Sequence, residues 1–237
     1  MAARTASLYD GMLARVLLVP LKVGFALVLL LAGLLLTAWT VDWVCVEYVW
    51  PGRIEGLREL LAVELAARTD LATRQGGSAA SVSAPADWLY ALVFEWTGLH
   101  EMARHFAGEG GLSVPDSIVR SAWIGRHEMV ETAMLGTQLL GLRAGILVRI
   151  LPLVGVLYAV GASEGMLQRA IRRARIARES ASLYHRAKIG QVVVLVLGGV
   201  GVLVWPQPVA WSSCAAFSGV VVTLLAVGQL HYFKKHV

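Results

Sequence analysis

The stretch that decides the fold is GASEGMLQRAIRRARIARESASLYHRAKIG, which covers residues 161–190. Between positions 163 and 188 it carries seven Arg and Lys against two acidic residues, and apolar stretches lie on both sides of it. Membrane proteins concentrate Lys and Arg in the loops that stay on the cytoplasmic side. The stretch therefore predicts a membrane protein and assigns this loop to the cytoplasm.

The composition of the whole chain agrees with a membrane location. Only 16% of its 237 residues are charged, and the mean hydropathy is +0.65, whereas soluble proteins carry about 25% charged residues. A membrane-crossing helix needs about 20 predominantly apolar residues. Three windows are predominantly apolar and contain no charged residue, at 23–41, 189–205 and 209–228, and a fourth, at 138–162, contains two arginines.

The distribution of charge favours four crossings with both termini in the cytoplasm. Residues 42–137 hold 13 acidic and 7 basic residues, whereas both terminal segments are basic. A three-span arrangement would put either the basic loop or the acidic segment on the wrong side. We therefore expect an all-α, polytopic membrane protein with four transmembrane helices and a helical extracytoplasmic segment between the first and second. The expected segments are a cytoplasmic amphipathic segment at 1–22, transmembrane helices at 23–41, 138–162, 189–205 and 209–228, the acidic segment at 42–137, the basic cytoplasmic loop at 163–188, an outer turn at 206–208 and a cytoplasmic tail at 229–237.

The acidic segment is predicted to be helical. Leucines recur at helical intervals through residues 57–71, and the composition of residues 76–86 predicts a flexible loop. Asp87 is the expected cap of a second helix. A third helix is expected from Asp116 onward, continuing into the second membrane span.

Arg143 and Arg149 lie inside the second predicted span, about 120° apart around the helix. An arginine near the membrane centre costs roughly 2.5–3.5 kcal/mol on insertion scales. Both are predicted intramembrane polar contacts. Two alternatives stay open for Arg149. It either contacts another subunit or a lipid phosphate, or its side chain snorkels and only orients the helix. For Arg143 snorkelling is favoured.

The basic loop has three candidate partners. Its first half places arginines beside apolar residues on one helix, which is typical of helices that lie in a membrane interface. Anionic lipid headgroups are the favoured partner, docking to an acidic protein comes next, and direct contact with nucleic acid is not expected. The predicted contact residues are Arg169, Arg172, Arg173, Arg175, Arg178, Glu179, Tyr184, His185, Arg186 and Lys188.

The sequence predicts no enzyme, metal site or cofactor. His100 and His105 are five residues apart, whereas a zinc-protease helix needs two histidines four apart so that both share one face. His127 and Glu131 have that spacing but lack a third ligand. The predicted spans contain no Asp or Glu that could act as an intramembrane catalytic pair.

Two further features leave alternatives open. Cys45 and Cys214 both fall near the outer face, where a disulfide is conceivable, although unpaired thiols are favoured. Three glycines of the third predicted span form a smooth face that suits either ordinary helix packing or self-association; they are Gly198, Gly199 and Gly201.

The order of residues in the basic loop resembles that of a known protein family. It resembles the integrating conjugative element membrane protein family through Glu164-Gly165, Gln168-Arg169, Ile171-Arg172-Arg173, Arg178-Glu179-Ser180 and Tyr184-His185-Arg186-Ala187-Lys188, with Phe233-Lys234-Lys235 in the tail. The chain departs from the family's pattern where Glu164 replaces an expected Asp and where Ala174-Arg175 replaces an aromatic-glycine pair.

This resemblance implies a small multi-pass protein of the bacterial inner membrane, encoded with conjugation genes, with its acidic segment in the periplasm. Its implied function is that of a non-enzymatic accessory subunit of a type IV secretion apparatus, with the basic loop docking the coupling ATPase or another component of the conjugation machinery. The alternative is a self-assembling structural or exclusion protein that acts through its periplasmic helices as a homo-oligomer.

Overall fold

The computed structural model describes residues 2–74, 76–106, 127–174 and 181–231. Within these ranges the chain forms seven α-helices and one π-helical turn and contains no β-strand, which confirms the all-α prediction. In chain order the helices are α1 (Ala2–Tyr48), α2 (Ile54–Arg74), α3 (Ala79–Tyr90), α4 (Leu99–Phe106), α5 (His127–Ala174), α6 (Ala181–Leu203) and α7 (Trp211–His231), and the π-helical turn covers Ala91–Glu95.

Three of the described helices are long and apolar enough to cross a membrane. Their apolar parts are Lys22–Tyr48 in α1, His127–Ile171 in α5 and Trp211–His231 in α7. The apolar part of α6 is shorter, Lys188–Leu203. It rises about 24 Å, whereas the hydrocarbon core of a bilayer is roughly 30 Å thick. The fourth crossing, at 189–205, therefore stays a prediction.

Helix α5 is the axis of the bundle. It is a single helix from His127 to Ala174 that continues through Pro152, and it rises about 72 Å. It runs parallel to α7, and two of its glycines face the α7 backbone. A Cβ added at Gly161 or Gly165 would lie 2.6 or 2.7 Å from a carbonyl oxygen of α7. The absence of a side chain at these two positions lets the helices touch.

Two helix boundaries differ from the sequence-based expectation. α1 continues through Pro20 into its apolar part, so the N-terminal segment does not end there. α3 begins at Ala79, inside the stretch 76–86 that composition predicts to be a flexible loop. The Ser78 side chain accepts a hydrogen bond from the backbone N–H of Ser81 at 3.3 Å and so caps the helix. Packing of α3 against α5 then stabilises a helix that composition alone does not favour.

The predicted basic loop is largely helical. α5 continues to Ala174 and α6 begins at Ala181, so residues 163–174 and 181–188 belong to helices. Residues 175–180, like the predicted helix start at Asp116, lie outside the described ranges. We call residues 163–174 and 181–188 the basic end of the bundle.

Buried side chains concentrate at the opposite end. Leu139, Leu140 and Leu142 of α5 pack against buried residues of α1, α2 and α3. The turn between α6 and α7, residues 204–210, reaches the same level, since Val204 packs on one of these clusters. We call this region, the turn together with the part of α5 from Leu135 to Arg149, the turn end.

A buried charge cluster at the turn end as the candidate functional site

Arg143 lies at the centre of the turn end, with 0% of its surface exposed. Its Nε and Nη2 atoms donate hydrogen bonds of 3.0 and 2.5 Å to one carboxylate oxygen of Glu64. The Glu64 side chain is 3% exposed. A buried charge is tolerated when it has an opposite charge and hydrogen bonds around it. The expected snorkelling of Arg143 is therefore wrong, because its guanidinium is held inside the protein.

The same guanidinium also holds the end of α6. Nη1 donates to the carbonyl oxygens of Leu203 and Trp205 at 3.2 and 2.5 Å, and Nη2 donates to that of Gln207 at 3.1 Å. The last carbonyls of a helix have no partner within the helix, and a positive charge is favourable beside them. Arg143 therefore caps α6 and fastens the α6–α7 turn to α5.

Glu64 also serves a second arginine. Arg68 follows it by about one turn of α2 and forms a buried ion pair with it. The Arg68 guanidinium lies over the Trp211 ring, 5.1 Å from its centroid, which is a cation–π arrangement. Burial lowers the pKa of Arg68 to about 10, the carboxylate of Glu64 opposes this change, and Arg143 adds to it. Arg68 is therefore still charged at neutral pH.

Helix α1 joins the cluster through Asp42, which is buried. Its carboxylate lies so close to Gly136 of α5 that a Cβ there would collide with it, and it interacts electrostatically with Arg143. About one turn earlier in α1, the Trp39 indole N–H donates a 2.9 Å hydrogen bond to the Thr137 hydroxyl. The cluster thus connects α1, α2, α5 and the α6–α7 turn.

Arg149 lies farther along α5 and is exposed. Its guanidinium donates a hydrogen bond to the backbone carbonyl of Ser81 in α3. It lines a cavity between α2, α3, α5 and α7 that Arg68 also lines. Both predicted intramembrane arginines therefore belong to the turn end, but only Arg143 is buried.

The predicted contact residues of the basic end lie elsewhere. Arg169 is partly buried near the end of α5, and Arg186 and Lys188 are exposed near the start of α6. Arg149 and Arg169 are about 30 Å apart along α5, so the structure does not bring the two groups of basic residues together. The remaining predicted contacts have side chains or whole residues outside the described part of the chain: Arg172, Arg173, Arg175, Arg178, Glu179, Tyr184 and His185.

Two of the described histidines, His100 and His127, lie beside neighbouring polar side chains. The Tyr90 hydroxyl and His100 Nδ1 are 2.7 Å apart, and His127 Nδ1 is 3.8 Å from Glu131. Among the described residues, no group of three or more His, Cys, Asp or Glu is placed to hold a metal ion. Cys45 and Cys214 are both free thiols.

Sequence reasoning missed Glu64, Arg68 and Asp42, although the sequence contains a signal for the first two. The buried face of α2 consists of Leu57, Leu60, Glu64 and Arg68. Their spacing of three or four residues places the two charges on the same face as the leucines. An acidic and a basic residue one turn apart on an apolar face predict a buried ion pair.

Comparison with known families gives one match. A family model described as DtrJ-like, IncC plasmid conjugative DNA transfer protein DtrJ-like, matches residues 58–228. The match extends from α2 to α7 and confirms that the chain belongs with conjugation-associated proteins, although its description names a plasmid rather than an integrating element. No curated protein and no solved structure matches the chain.

Proposed function

The chain belongs to the DtrJ-like family of conjugative DNA transfer proteins, and from that premise we propose that it is a non-enzymatic, inner-membrane accessory subunit of a conjugative type IV secretion apparatus. Family membership supports a role in conjugation. The match at 58–228 includes Glu64, Arg68 and Arg143 of the buried charge cluster and also the basic end, and this coverage carries the proposal. The resemblance of the basic segment extends the proposed relatives to proteins of integrating conjugative elements.

The proposed topology has four crossings, by α1, α5, α6 and α7, with both termini in the cytoplasm. α5 lies beside α7 from Ile146, which shares a cavity with Trp211, to Gly165, which faces Val227. That part of α5 rises about 29 Å, close to the roughly 30 Å of the hydrocarbon core. The basic end then lies beyond the core on the cytoplasmic side, as the positive-inside rule requires.

Helix α6 is the short member of this arrangement. Its predicted span, 189–205, includes two residues beyond the end of the helix at Leu203. A short helix would expose its last carbonyls near the apolar layer, where unpaired backbone groups are costly. The bonds from Arg143 to those carbonyls support a crossing by α6, because they satisfy the backbone where the helix ends.

The basic end is the proposed docking surface for the coupling ATPase or another cytoplasmic component. Of its described cations, Arg186 and Lys188 are exposed and Arg169 is partly buried. Lipid orientation needs only Lys and Arg, whereas the basic loop at 163–188 also contains Glu179, Tyr184 and His185. We therefore assign it protein contacts in addition to contacts with anionic headgroups.

A triple variant tests this proposal: Arg178→Ala, Tyr184→Ala and His185→Ala together, in cells that express the whole conjugation gene set. The expected result is normal membrane insertion with loss of the coupling ATPase from the purified complex and a fall in transfer frequency of at least tenfold. The matched control is Arg74→Ala at the end of α2, where the arginine is 74% exposed. Transfer at the wild-type level in the triple variant would contradict docking through this segment.

The second candidate function is self-assembly or exclusion through the periplasmic helices. The observation that favours it is the exposure of two tryptophans, Trp88 at 62% and Trp96 at 77%, in a segment rich in acidic residues. Exposed aromatic side chains are enriched in protein interfaces. Exchanging residues 51–137 between related elements would transfer the exclusion phenotype under this alternative, and would leave it unchanged under the accessory-subunit proposal.

A further inference from the structure

A cavity of about 550 Å³ opens at the turn end between α2, α3, α5 and α7. None of its lining residues is acidic, and two are arginines, Arg68 and Arg149. The other side chains that matter here are Trp211 and the apolar residues Val82, Leu142 and Ile146. The cavity is thus cationic on one part of its wall and apolar on the rest.

Three buried hydrogen-bond donors on residues that line the cavity lack an acceptor within the described part of the chain. Nε and Nη1 of Arg68 and Nε1 of Trp211 are buried and have no hydrogen-bond partner among the described residues. The Arg68 side chain is 5% exposed, and only its Nη2 bonds Glu64. Buried donors in proteins almost always have a partner, and leaving one without costs free energy. Such donors need an acceptor from outside the described residues, and a ligand that carries acceptor oxygens could supply it.

The charge of the wall restricts the chemistry of that ligand. Guanidinium groups bind phosphate and carboxylate oxygens with the strongest hydrogen bonds available to neutral-pH proteins. Arg68 has two donors available, and Arg149 adds a second positive charge at the same cavity. The ligand is therefore anionic and rich in acceptors, and a phosphate diester meets both requirements.

The apolar wall and the position of the cavity select a lipid over a free anion. Ile146 and Ile150 line it and belong to the long apolar part of α5, and Trp211 is the first residue of the apolar helix α7. Tryptophan is enriched where a membrane helix meets the headgroup layer. A phospholipid would place its phosphate beside Arg68 and Trp211 and an acyl chain along Val82 and Ile146.

We propose that this cavity is a binding site for an anionic phospholipid, with Arg68, Arg149 and the Trp211 indole N–H contacting the phosphate. The site lies at the turn end, at the opposite end of the spans from the basic end. Lipid binding at this site is independent of the proposed docking of the coupling ATPase, so a negative result for one proposal does not affect the other. A soluble phosphate compound is the competing source of the same chemistry.

The test uses the full chain purified in a neutral detergent. Native mass spectrometry measures the dissociation constant of dioleoyl phosphatidylglycerol, with dioleoyl phosphatidylcholine as the lipid control and inorganic phosphate as the competitor. The variants are Trp211→Phe, which keeps an aromatic ring and removes the N–H, and Arg149→Gln. The matched controls are Trp88→Phe and Arg74→Gln, which change the same residue types at exposed positions away from the cavity.

The expected result is that the anionic lipid binds at least tenfold more tightly than the zwitterionic one. Trp211→Phe and Arg149→Gln each weaken it by about tenfold, the loss expected for one hydrogen bond to a charged group, and the controls leave it unchanged. Equal affinity for the two lipids, wild-type affinity in Trp211→Phe, or displacement of the lipid by an equal concentration of inorganic phosphate would overturn the proposal. Circular dichroism checks the fold of each variant, and Trp211→Phe decides the matter if Arg149→Gln does not fold.

Discussion

The two ends of the bundle use arginine in opposite ways. At the turn end, Arg143 is fully buried and its bonds go to Glu64 and to backbone carbonyls. At the basic end, Arg186 and Lys188 are exposed to their surroundings, and Arg169 is only partly buried. Both ends carry the same kind of charge on helices of the same bundle, and at the turn end the acidic partner is a buried residue of the chain itself.

This contrast in burial shows that an arginine in an apolar sequence can have either of two roles. A guanidinium with fixed internal partners joins elements of the fold, since removing it leaves a buried carboxylate and several carbonyls unpaired. A guanidinium without that burial is available to a membrane surface or another protein. Substitutions at the turn end should therefore change stability, and substitutions at the basic end should change function.

The largest expected effect is that of Arg143→Ala. It leaves Glu64 buried without its main partner and the end of α6 uncapped, and we expect a loss of about 3–5 kcal/mol in the free energy of unfolding. Denaturant titration of the protein in detergent measures this. Arg74→Ala, at a 74% exposed ion pair, is the control and should cost under about 1 kcal/mol. An equal loss of unfolding free energy in both variants would contradict the claim that a buried, internally paired arginine stabilises the fold more than an exposed one.

The sequence could predict the helical fold but not this partnership. The apolar stretches in α1, α5 and α7 follow directly from composition, because a membrane helix needs only length and hydropathy. Arg143 and Glu64 are 79 residues apart in sequence. Their pairing depends on how α2 folds back onto α5, and periodicity within either helix carries no such information. The sequence of α5 alone therefore favours snorkelling for Arg143, which the structure buries.

The helix start at Ala79 is a second feature that the local sequence does not predict. Residues 76–86 contain small and polar residues with Pro85, and local propensity predicts a loop. In the structure Pro85 packs where Gly141 and Gly145 of α5 leave room, and a Cβ at either glycine would come within 2.8 Å of α3 atoms. Tertiary packing therefore stabilises a helix that its own sequence disfavours.

A smaller effect is expected where the two ends are connected, along the contact of α5 with α7. Gly161→Leu should lower the free energy of unfolding by about 1–3 kcal/mol, because the new side chain meets the α7 backbone. The control is Gly198→Leu in α6, where no atom of the described residues lies within 4 Å of an added Cβ. Thermal unfolding of both variants in the same detergent makes the comparison. A large loss at Gly198 would instead indicate a packed partner on that face of α6.

Arg149→Ala should lower the free energy of unfolding less than Arg143→Ala or Gly161→Leu does. The arginine is exposed and has one bond to the Ser81 carbonyl, so we expect a loss of about 1 kcal/mol. Denaturant titration of Arg149→Ala and Arg143→Ala under the same conditions compares the two losses of unfolding free energy directly. A loss equal to that of Arg143→Ala would show that exposure does not distinguish the two arginines.

The smallest effect on stability is expected at the basic end. Arg186→Ala combined with Lys188→Ala should change the free energy of unfolding by less than about 0.5 kcal/mol, while lowering the frequency of conjugative transfer. Unfolding and mating assays on the same variant separate the two effects. Loss of stability in step with loss of transfer would assign the basic end a role in the fold.

The most direct test of the central claim is the composition of the complex that the tagged protein forms in cells expressing the whole conjugation gene set. Gentle-detergent purification and mass spectrometry would compare the wild type with the Arg178→Ala, Tyr184→Ala and His185→Ala triple variant. An accessory subunit that docks through its basic end predicts recovery of the coupling ATPase or secretion-channel subunits with the wild type and their loss with the variant. Recovery of a homo-oligomer alone, or of the same partners with both proteins, would contradict it.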